Sequence, residues 1–399
     1  MDQSLALSDI RVLDLTRVLA GPYCTMYLAD LGAEVIKIEI PGTGDDTRNM
    51  GPFKNGESLY FCNVNRNKKG VTLNLKKPEG KQLFLRMVKS ADVVVENYRP
   101  GVMDRLGLGY DVLKEANDQI IYAAVSGFGS YGPLHDRPGY DIIAQAMGGI
   151  MSLTGPEGGG PIRTGSAIGD LIGGLNLTIG ILAAIHGRQL TGKGQRVDIS
   201  LVDGIVSALE TNTQRTLANG KQPPRMGNRY PSAAPYDSFQ AKDGEFVIGC
   251  GNNKLFTLLC EDVLCRPDLL EDPRFVTNDL RCINQAALKV EIEKWSIDHT
   301  IEEAVDLILG AGVPAAPIYD IKAVMGNEHI AVAREMFLDC EHPRAGHLRI
   351  NGNPVKLMDS MPRLRTPAPI LGQDNEDVYR HIFGLSPERL QTLREANVI

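Results

Sequence analysis

In the stretch 163–176, RTGSAIGDLIGGLN, a glycine-rich loop runs into an apolar segment with one acid, Asp170, at the junction. An acid just ahead of an apolar-periodic run reads first as a helix N-cap, its carboxylate accepting from the orphan amides of the first turn. The same place also suits covalent chemistry. A carboxylate at the positive end of a helix is expected to stay ionised, so it can serve as a nucleophile at neutral pH. Gly169 precedes the acid, and Gly173 and Gly174 follow one turn later, leaving the adjacent helix face without side chains. Close helix packing would use that gap, and so would a substrate reaching for the acid. The residues alone leave both readings open.

The elements that must position this acid can be read in order. Residues 10–15 (IRVLDL) and 35–38 (VIKI) are short β-branched runs, and Gly21-Pro22 opens a helical segment through Leu31 between them. Strand, helix and strand at this spacing make a βαβ unit and a parallel sheet. Strands at 71–75, 93–95 and 120–125 continue the alternation, with a helix at 78–89 whose Pro and Glu sit at its start. After the Asp170 helix, read over 171–186, come a strand at 195–200 and a helix at 201–216. Residues 220–235, rich in Gly, Pro, Asn and Arg, form a linker. A second, smaller domain starts at Tyr236 with a hairpin whose turn is Asp243-Gly244. A return segment from Ala331 carries strands near 347–350 and a helix at 387–396. The fold class is thus α/β, with a doubly wound large domain at 1–220, a small domain at 221–330 and a return at 331–399.

Composition narrows the function. With 399 residues, 43% of them hydrophobic, the chain can bury a large core, and a net charge of −7 disfavours nucleic-acid or anionic-membrane surfaces. Seven scattered cysteines form no CxxC pair and no Cys/His cluster, which points to reduced thiols in the cytoplasm and no metal site. Met1–Leu15 lacks the pattern of a signal peptide, and the apolar run 171–185 is short for a membrane span. Glu39 ends the second strand, where a dinucleotide fold keeps its ribose-binding acid. The first turn, TRVLAGP, however, has no GxGxxG, so NAD binding is set aside. Walker A, HExxH and GxSxG motifs are absent as well.

Several collinear motifs resemble the class III CoA-transferases, the family of formyl-CoA transferase and carnitine CoA-transferase. They are RVLDLTRVLAGPYCTMYLADLGAEVIKIE (11–39), NRNKKGVTLNLKKPEGK (65–81), ADVVVENYRPGVMDRLGLGY (91–110), VSGFGSYGP (125–133), GSAIGDLIGG (165–174), TGKGQRVDISLVDG (191–204), GVPAAPIYD (312–320) and APILGQDNEDVYRHIFGLSPERL (368–390). The resemblance implies a Rossmann-like large domain, an inserted smaller α+β domain and an interlaced homodimer. It implies transfer of CoA from an acyl-CoA to a free carboxylic acid, with Asp170 as nucleophile, coenzyme A thioester as substrate and no permanently bound cofactor. By position, the family's CoA contacts carry over to Leu19 and Ala20, to Leu73, Asn74, Leu75 and Lys76, and to Asn97, Tyr98, Arg99 and Arg105. Arg137, Pro138, Gly139 and Tyr140 complete the set. Lys76 and Arg105 suit phosphates, and Tyr98 suits stacking on adenine; taken singly, the cations also read as solvated surface charges and the tyrosine as a half-buried strand end.

There are departures. Ile40 replaces a basic residue of formyl-CoA transferase, and GNRYPSAAPYDSF (227–239) replaces that enzyme's glycine-rich loop, so the acid substrate is open. Arg17, Arg48, Arg163 and Arg229 lie in or near motif loops. Each could clamp a distal carboxylate or form an ordinary ion pair. A dicarboxylate such as succinate or glutarate is the expectation. An α-methylacyl-CoA racemase shares this resemblance but needs a second base, and here GYD places Tyr140 where those enzymes carry histidine; His135 reads as a surface residue. A non-catalytic acyl-CoA-binding protein would have no use for the Asp170 motif.

Overall fold

Alternation decides the fold of the larger unit. Along Val12, Leu13, Val35, Ile36, Val93, Val94 and Val95, successive side chains enter two different apolar clusters, as a strand buried on both faces requires. The computed structural model describes residues 5–399; the first four residues of the leader-free start read from the sequence lie outside it. Six strands, β1 (Arg11–Asp14), β2 (Glu34–Glu39), β3 (Lys68–Thr72), β4 (Val93–Glu96), β5 (Ile121–Ser126) and β6 (Arg196–Ser200), form one sheet in the order β3-β2-β1-β4-β5-β6. All neighbours are parallel. This doubly wound order reverses between β1 and β4, which opens a crevice at the carboxyl ends of those two strands.

On one face lie α1 (Ala20–Asp30) and a long helix, with Leu28, Leu177, Ile181 and Ile185 in the core beneath. On the other lies α2 (Pro78–Val88) together with the returning C-terminal segment, through Phe84, Met87, Tyr379, Leu390 and Leu393. The return also closes the sheet edge. The amides of Gly70 and Thr72 on β3 donate to Asp374 and Asn375 at 2.7 and 2.8 Å, and the Tyr379 hydroxyl donates to the Thr72 carbonyl at 2.8 Å. Edge amides satisfied in this way offer nothing to another chain.

β3 starts three residues before the run read from the sequence. Lys68 looks like a surface residue, yet its ammonium is buried, 3.0 Å from Asp14. Leu73 and Leu75 follow the strand and pack in the core. The helix read over 201–216 is also two pieces, Leu201–Ser207 and Thr211–Asn219, with Glu210 at φ +56° between them.

Contacts divide the chain into two compact units: 1–150 with 163–213 and 328–399, and 151–162 with 214–327. In the smaller unit, β7 (Tyr236–Ala241), β8 (Gly244–Gly249) and β9 (Ala315–Pro317) form an antiparallel sheet. Its hairpin turn is Lys242-Asp243, one residue earlier than read, because Gly244 already pairs with Ala241. Two helices, Gln285–Ser296 and Ile301–Gly310, bury Ile292, Val305 and Ile308 against Phe239 and Phe246. The irregular segment before β7 is pinned to 151–162. Arg225 Nε donates to the Gly159 carbonyl at 2.9 Å, and the Gly227 amide to Gly155 at 3.0 Å.

Candidate active site

The crevice at the strand-order reversal holds a cavity of about 200 Å³. Its walls come from the turn after β1 (Arg17–Ala20), the turn after β4 (Asn97–Pro100), the end of β5 (Val125–Gly127), the loop 137–140, Asp46, Leu201 and Asp170. The loop 137–140 reaches the end of β5 because two glycines meet there. A Cβ on Gly139 would stand 2.5 Å from the Gly127 Cα, so any side chain would push the loop off the wall.

A buried charge network supports the turn after β1. Asp14 and Lys68 pair at 3.0 Å and Lys37 and Asp45 at 2.9 Å, all four side chains fully buried. Burial alone would raise Asp14 and Asp45, but Lys68 and Lys37 override it and hold both carboxyls below their ordinary range. Lys68, with Lys37 close by, is pushed down to about 8, chiefly by burial. Two cations share Asp14, and Lys68 bears the cost of that sharing.

Asp170 stands in the first turn of α4 (Ile168–Thr191), beyond α3 (Asp141–Met147). It caps no amide of its helix. The nearest acid, Asp141, takes the capping role instead: its Oδ1 accepts from the Gly169 amide at 2.8 Å and its Oδ2 from Gln145 at 2.7 Å. Gln145 in turn accepts from the Thr164 amide at 3.0 Å, which fixes the loop before α4. Asp170 is therefore held in place with its oxygens uncommitted. Its pKa is pushed up to about 7, first by burial and then by the charge of Asp141. The helix N-terminus opposes this by up to about 2 kcal/mol, while a rise from 3.8 to about 7 corresponds to roughly 4 kcal/mol, so burial wins. The expectation of a carboxylate kept ionised by its helix is corrected: near neutrality Asp170 is poised between its two forms.

Of the two uses open to the glycine gap, close packing is the one found. A Cβ on Gly173 would come within 2.5 Å of Leu201, and one on Gly174 within 2.6 Å of the Ala20 carbonyl. The bare face is filled by α1 and by α5 (Leu201–Ser207), and it brings the start of α1 against the turn that carries Asp170. Helix α4 is also longer than the apolar run suggested. At 24 residues it is long and apolar enough to cross a membrane, and 44% of its most apolar window is buried inside this unit.

Of the residues expected to contact CoA, the cavity brings together Leu19, Ala20, Asn97, Tyr98, Arg99, Arg137, Pro138, Gly139 and Tyr140 with Asp170. It does not include Leu73, Asn74, Leu75, Lys76 or Arg105. Leu73 and Leu75 are buried in the core, Asn74 turns back to accept from the Lys76 amide at 3.0 Å, and Lys76 and Arg105 are exposed. Asn97 grips the chain at Arg17 rather than facing outward: its Oδ1 accepts from the Arg17 amide at 2.8 Å and its Nδ2 donates to the Arg17 carbonyl at 2.6 Å. One face of Tyr98 is covered by the Arg17 guanidinium, 5.5 Å from the ring centre. Glu39, the false dinucleotide signal, is taken up by Arg48 at 2.7 Å and by the Asp45 amide at 2.9 Å.

Two neighbours of Asp170 escaped the sequence reading. Tyr60 is pushed up to about 12 by burial and then by the charges of Asp170, Asp45 and Asp141, so it stays a hydrogen-bond donor; nothing in SLYFCNVN (58–65) marks it. Asp141 was in view as the last letter of GYD, but its capping partner lies 28 residues away. No histidine lines the cavity.

The chain matches the description CoA-transferase family III over residues 7–375. It is 48% identical over 347 residues to the acetyl-CoA:oxalate CoA-transferase of Acetobacter aceti, covering 87% of each chain. It is 38% identical to the succinyl-CoA:glutarate CoA-transferase of Mus musculus, covering 100% of this chain and 91% of that one. A CAIB/BAIF family protein from Brucella suis has the same fold, with a TM-score of 0.84 and 37% identity over 95% of this chain and 99% of that one. The Asp170 cavity, set at the switch point of this sheet, thus sits in a chain that belongs to CoA-transferase family III, the class III CoA-transferases.

Proposed function

We propose that the chain moves CoA from an acyl-CoA to a dicarboxylic acid through covalent intermediates on Asp170. The observation that carries this reading is a half-buried, uncapped carboxylate in the switch-point cavity, with a pKa near the working pH. Asp170 attacks the donor thioester carbonyl, and the resulting oxyanion collapses with loss of CoA thiolate to a mixed anhydride. The thiolate attacks the Asp170 γ-carbonyl and expels the donor carboxylate, leaving an aspartyl-CoA thioester. The acceptor carboxylate then attacks that γ-carbonyl, expels CoA thiolate again and forms a second anhydride. The thiolate finally takes the acceptor's acyl group and restores Asp170. Activated acyl bonds are exchanged for one another throughout, so neither ATP nor metal is required.

The environment favours the first step. A buried carboxylate pushed up to about 7 is more basic than a solvated one, and it discharges when it becomes an anhydride. Uncapped amides at the start of α1, around Leu19 and Ala20, are suited to the oxyanion. The CoA moiety lies along the carboxyl edge of the sheet. Arg99, Arg137 and Tyr140 meet it in the cavity, and Lys76 and Arg105 receive its phosphates further along. Relatives named for oxalate and for glutarate support a dicarboxylate as the acid. The working form is an interlaced homodimer in the cytoplasm. Exposed Ile142, Ile143 and Met147 on α3, with Leu175 and Ile179 on α4, offer it an apolar surface. Sedimentation after dilution is expected to show no folded monomer.

The intermediate is tested by adding acyl-CoA and hydroxylamine, with no acceptor, and following the Asp170 peptide by mass spectrometry. Conversion of the aspartyl group to a hydroxamate, dependent on acyl-CoA, is expected. An unmodified peptide in enzyme that is turning over would sink the covalent route.

A further inference from the structure

The arginines flagged in the sequence differ in what already holds them. Arg48 is committed: its Nε and Nη2 each donate to Glu39 at 2.7 Å, and its guanidinium lies 3.7 Å from the Phe61 ring centre. Arg163 donates to the carbonyls of Thr164 and Gly165, and Arg229 pairs with Glu157 at 2.5 Å. None of these three lines the Asp170 cavity, and Arg17 does.

Arg17 is only partly engaged. Its Nη1 donates to Asp46 at 3.1 Å, and Tyr98 braces its plane. Its Nε has no hydrogen-bond partner among the described residues although it is shut away from water. The Nε side is one of the edges with which a guanidinium takes a carboxylate bidentately. The Nη2 of that edge donates to none of the described residues and is not shut away, so it is the part of Arg17 open to a carboxylate.

The main chain around Arg17 is fixed to an unusual degree. Asp14 accepts from the Thr16 amide at 2.9 Å, and Lys37 donates to the Thr16 carbonyl at 2.9 Å. Asn97 takes both the amide and the carbonyl of Arg17, and Asp45 accepts from the Val18 amide at 3.2 Å. Five backbone groups in three residues are thus held by side chains from other elements. The turn they hold contains Val18 at φ +65°, a left-handed conformation that is strained for a β-branched residue. Such strain persists only where the surroundings over-determine it.

We infer that Arg17 anchors the distal carboxylate of the acid substrate, in the same cavity where Asp170 reacts with the proximal one. Asp46, half exposed on the cavity wall, already accepts from this guanidinium, which thus pairs with a carboxylate there. The buried network of Asp14, Lys37, Asp45 and Asn97 keeps the guanidinium aimed. The inference rests on the Asp170 reading and gives it a substrate class: acids with a second carboxylate, read by charge and by fork geometry, in preference to monocarboxylates of equal length.

The test compares full-length wild type with R17Q and R17K. Donors are acetyl-CoA, which has no distal carboxylate, and succinyl-CoA, which has one; acceptors are glutarate and adipate against pentanoate and hexanoate. In R17Q the ratio of kcat/KM for dicarboxylate over monocarboxylate is expected to fall about 100-fold or more. KM for succinyl-CoA rises, while KM for acetyl-CoA stays within about threefold, as for a lost charge-assisted contact to the acid alone. R17K keeps the charge but not the fork, recovers part of the ratio, and carries the comparison if R17Q does not fold. An unchanged ratio overturns the inference. So does an equal rise in KM for both acyl-CoAs, which would make Arg17 a CoA phosphate contact. Failure of the Asp170 reading would show separately, in wild type, as no acyl-CoA-dependent change in the trapped peptide.

Discussion

Asp45 and Asp170 belong to the same unit and face opposite treatment. Asp45 is buried completely and still holds its proton weakly, because Lys37 sits 2.9 Å away and the Thr47 amide and hydroxyl donate to it. Asp170 is less buried, yet it has no cation and no capping bond, and its nearest charged neighbour is another acid. Burial is not what separates them. One acid is supplied with every partner it can use and becomes part of the scaffold. The other is denied partners, which suits the reactive role proposed for it. Structure around an active site consists partly in keeping hydrogen bonds away from the group that must form a covalent bond.

Removing each acid's function breaks this comparison most directly. On the proposed route, in which one carboxylate carries every covalent step, Asp170→Ala should lower transfer by at least about 10⁴-fold with the fold retained. Turnover above a few per cent of wild type, measured by product CoA ester, would falsify the assignment. On the scaffold side, Lys37→Met leaves Asp45 buried without its cation, and a loss of about 3–5 kcal/mol is expected by chemical unfolding. Lys37→Met combined with Asp45→Asn should recover a good part of that loss. A double variant no more stable than the single one would mean that the pair is not what holds this region.

The contrast between the two acids was only half legible in the sequence. Asp170 could be found because it follows a glycine loop and opens an apolar run, and because GSAIGD belongs to a wider set of motifs. The parallel sheet was legible from its β-branched runs. Partners were not. Lys68 pairs with Asp14 across 54 positions and Asp45 reaches Val18 across 27, and no local pattern announces either bond. The same blindness shifted β3, since a buried lysine reads as an exposed one. It also left the use of the glycines beside Asp170 open, because only the fold reveals that Ala20 and Leu201 fill the space they leave. Desolvation is a property of the assembled site, so the ionisation of Asp170 was read from its helix alone and came out in the wrong direction.

A milder probe is pH. If only ionised Asp170 attacks, kcat/KM should rise about tenfold per pH unit below the pKa and level off above about 7. A profile still flat at pH 5.5 would show that Asp170 titrates in the ordinary carboxyl range in the free enzyme, against the raised value. Replacing Asp141 with Asn removes the like charge while keeping an oxygen for the Gly169 amide, and it should move the midpoint downward.

The smallest effect is on stability, and its sign is the informative part. The folded pKa of Asp170 is raised to about 7, whereas in the unfolded chain it returns to its ordinary value near 3.8. Below that lower value both states are protonated and Asp170 contributes nothing. Between the two values the folded state binds the extra proton, so stability falls as pH rises, and above about 7 the full penalty of the buried anion is present. Asp170→Asn removes the penalty with little change in shape. Wild type and variant should therefore melt together near pH 4 and separate as pH rises towards 7.5, with the inactive variant the more stable. The ceiling is about 4 kcal/mol, and the helix N-terminus returns up to about 2 of it. A difference of about 1–3 kcal/mol, or roughly 1–4 °C for a chain of this size, is expected by calorimetry. A variant less stable than wild type at pH 7.5 would place Asp170 with Asp45, as an acid that the fold uses rather than one that it strains to keep.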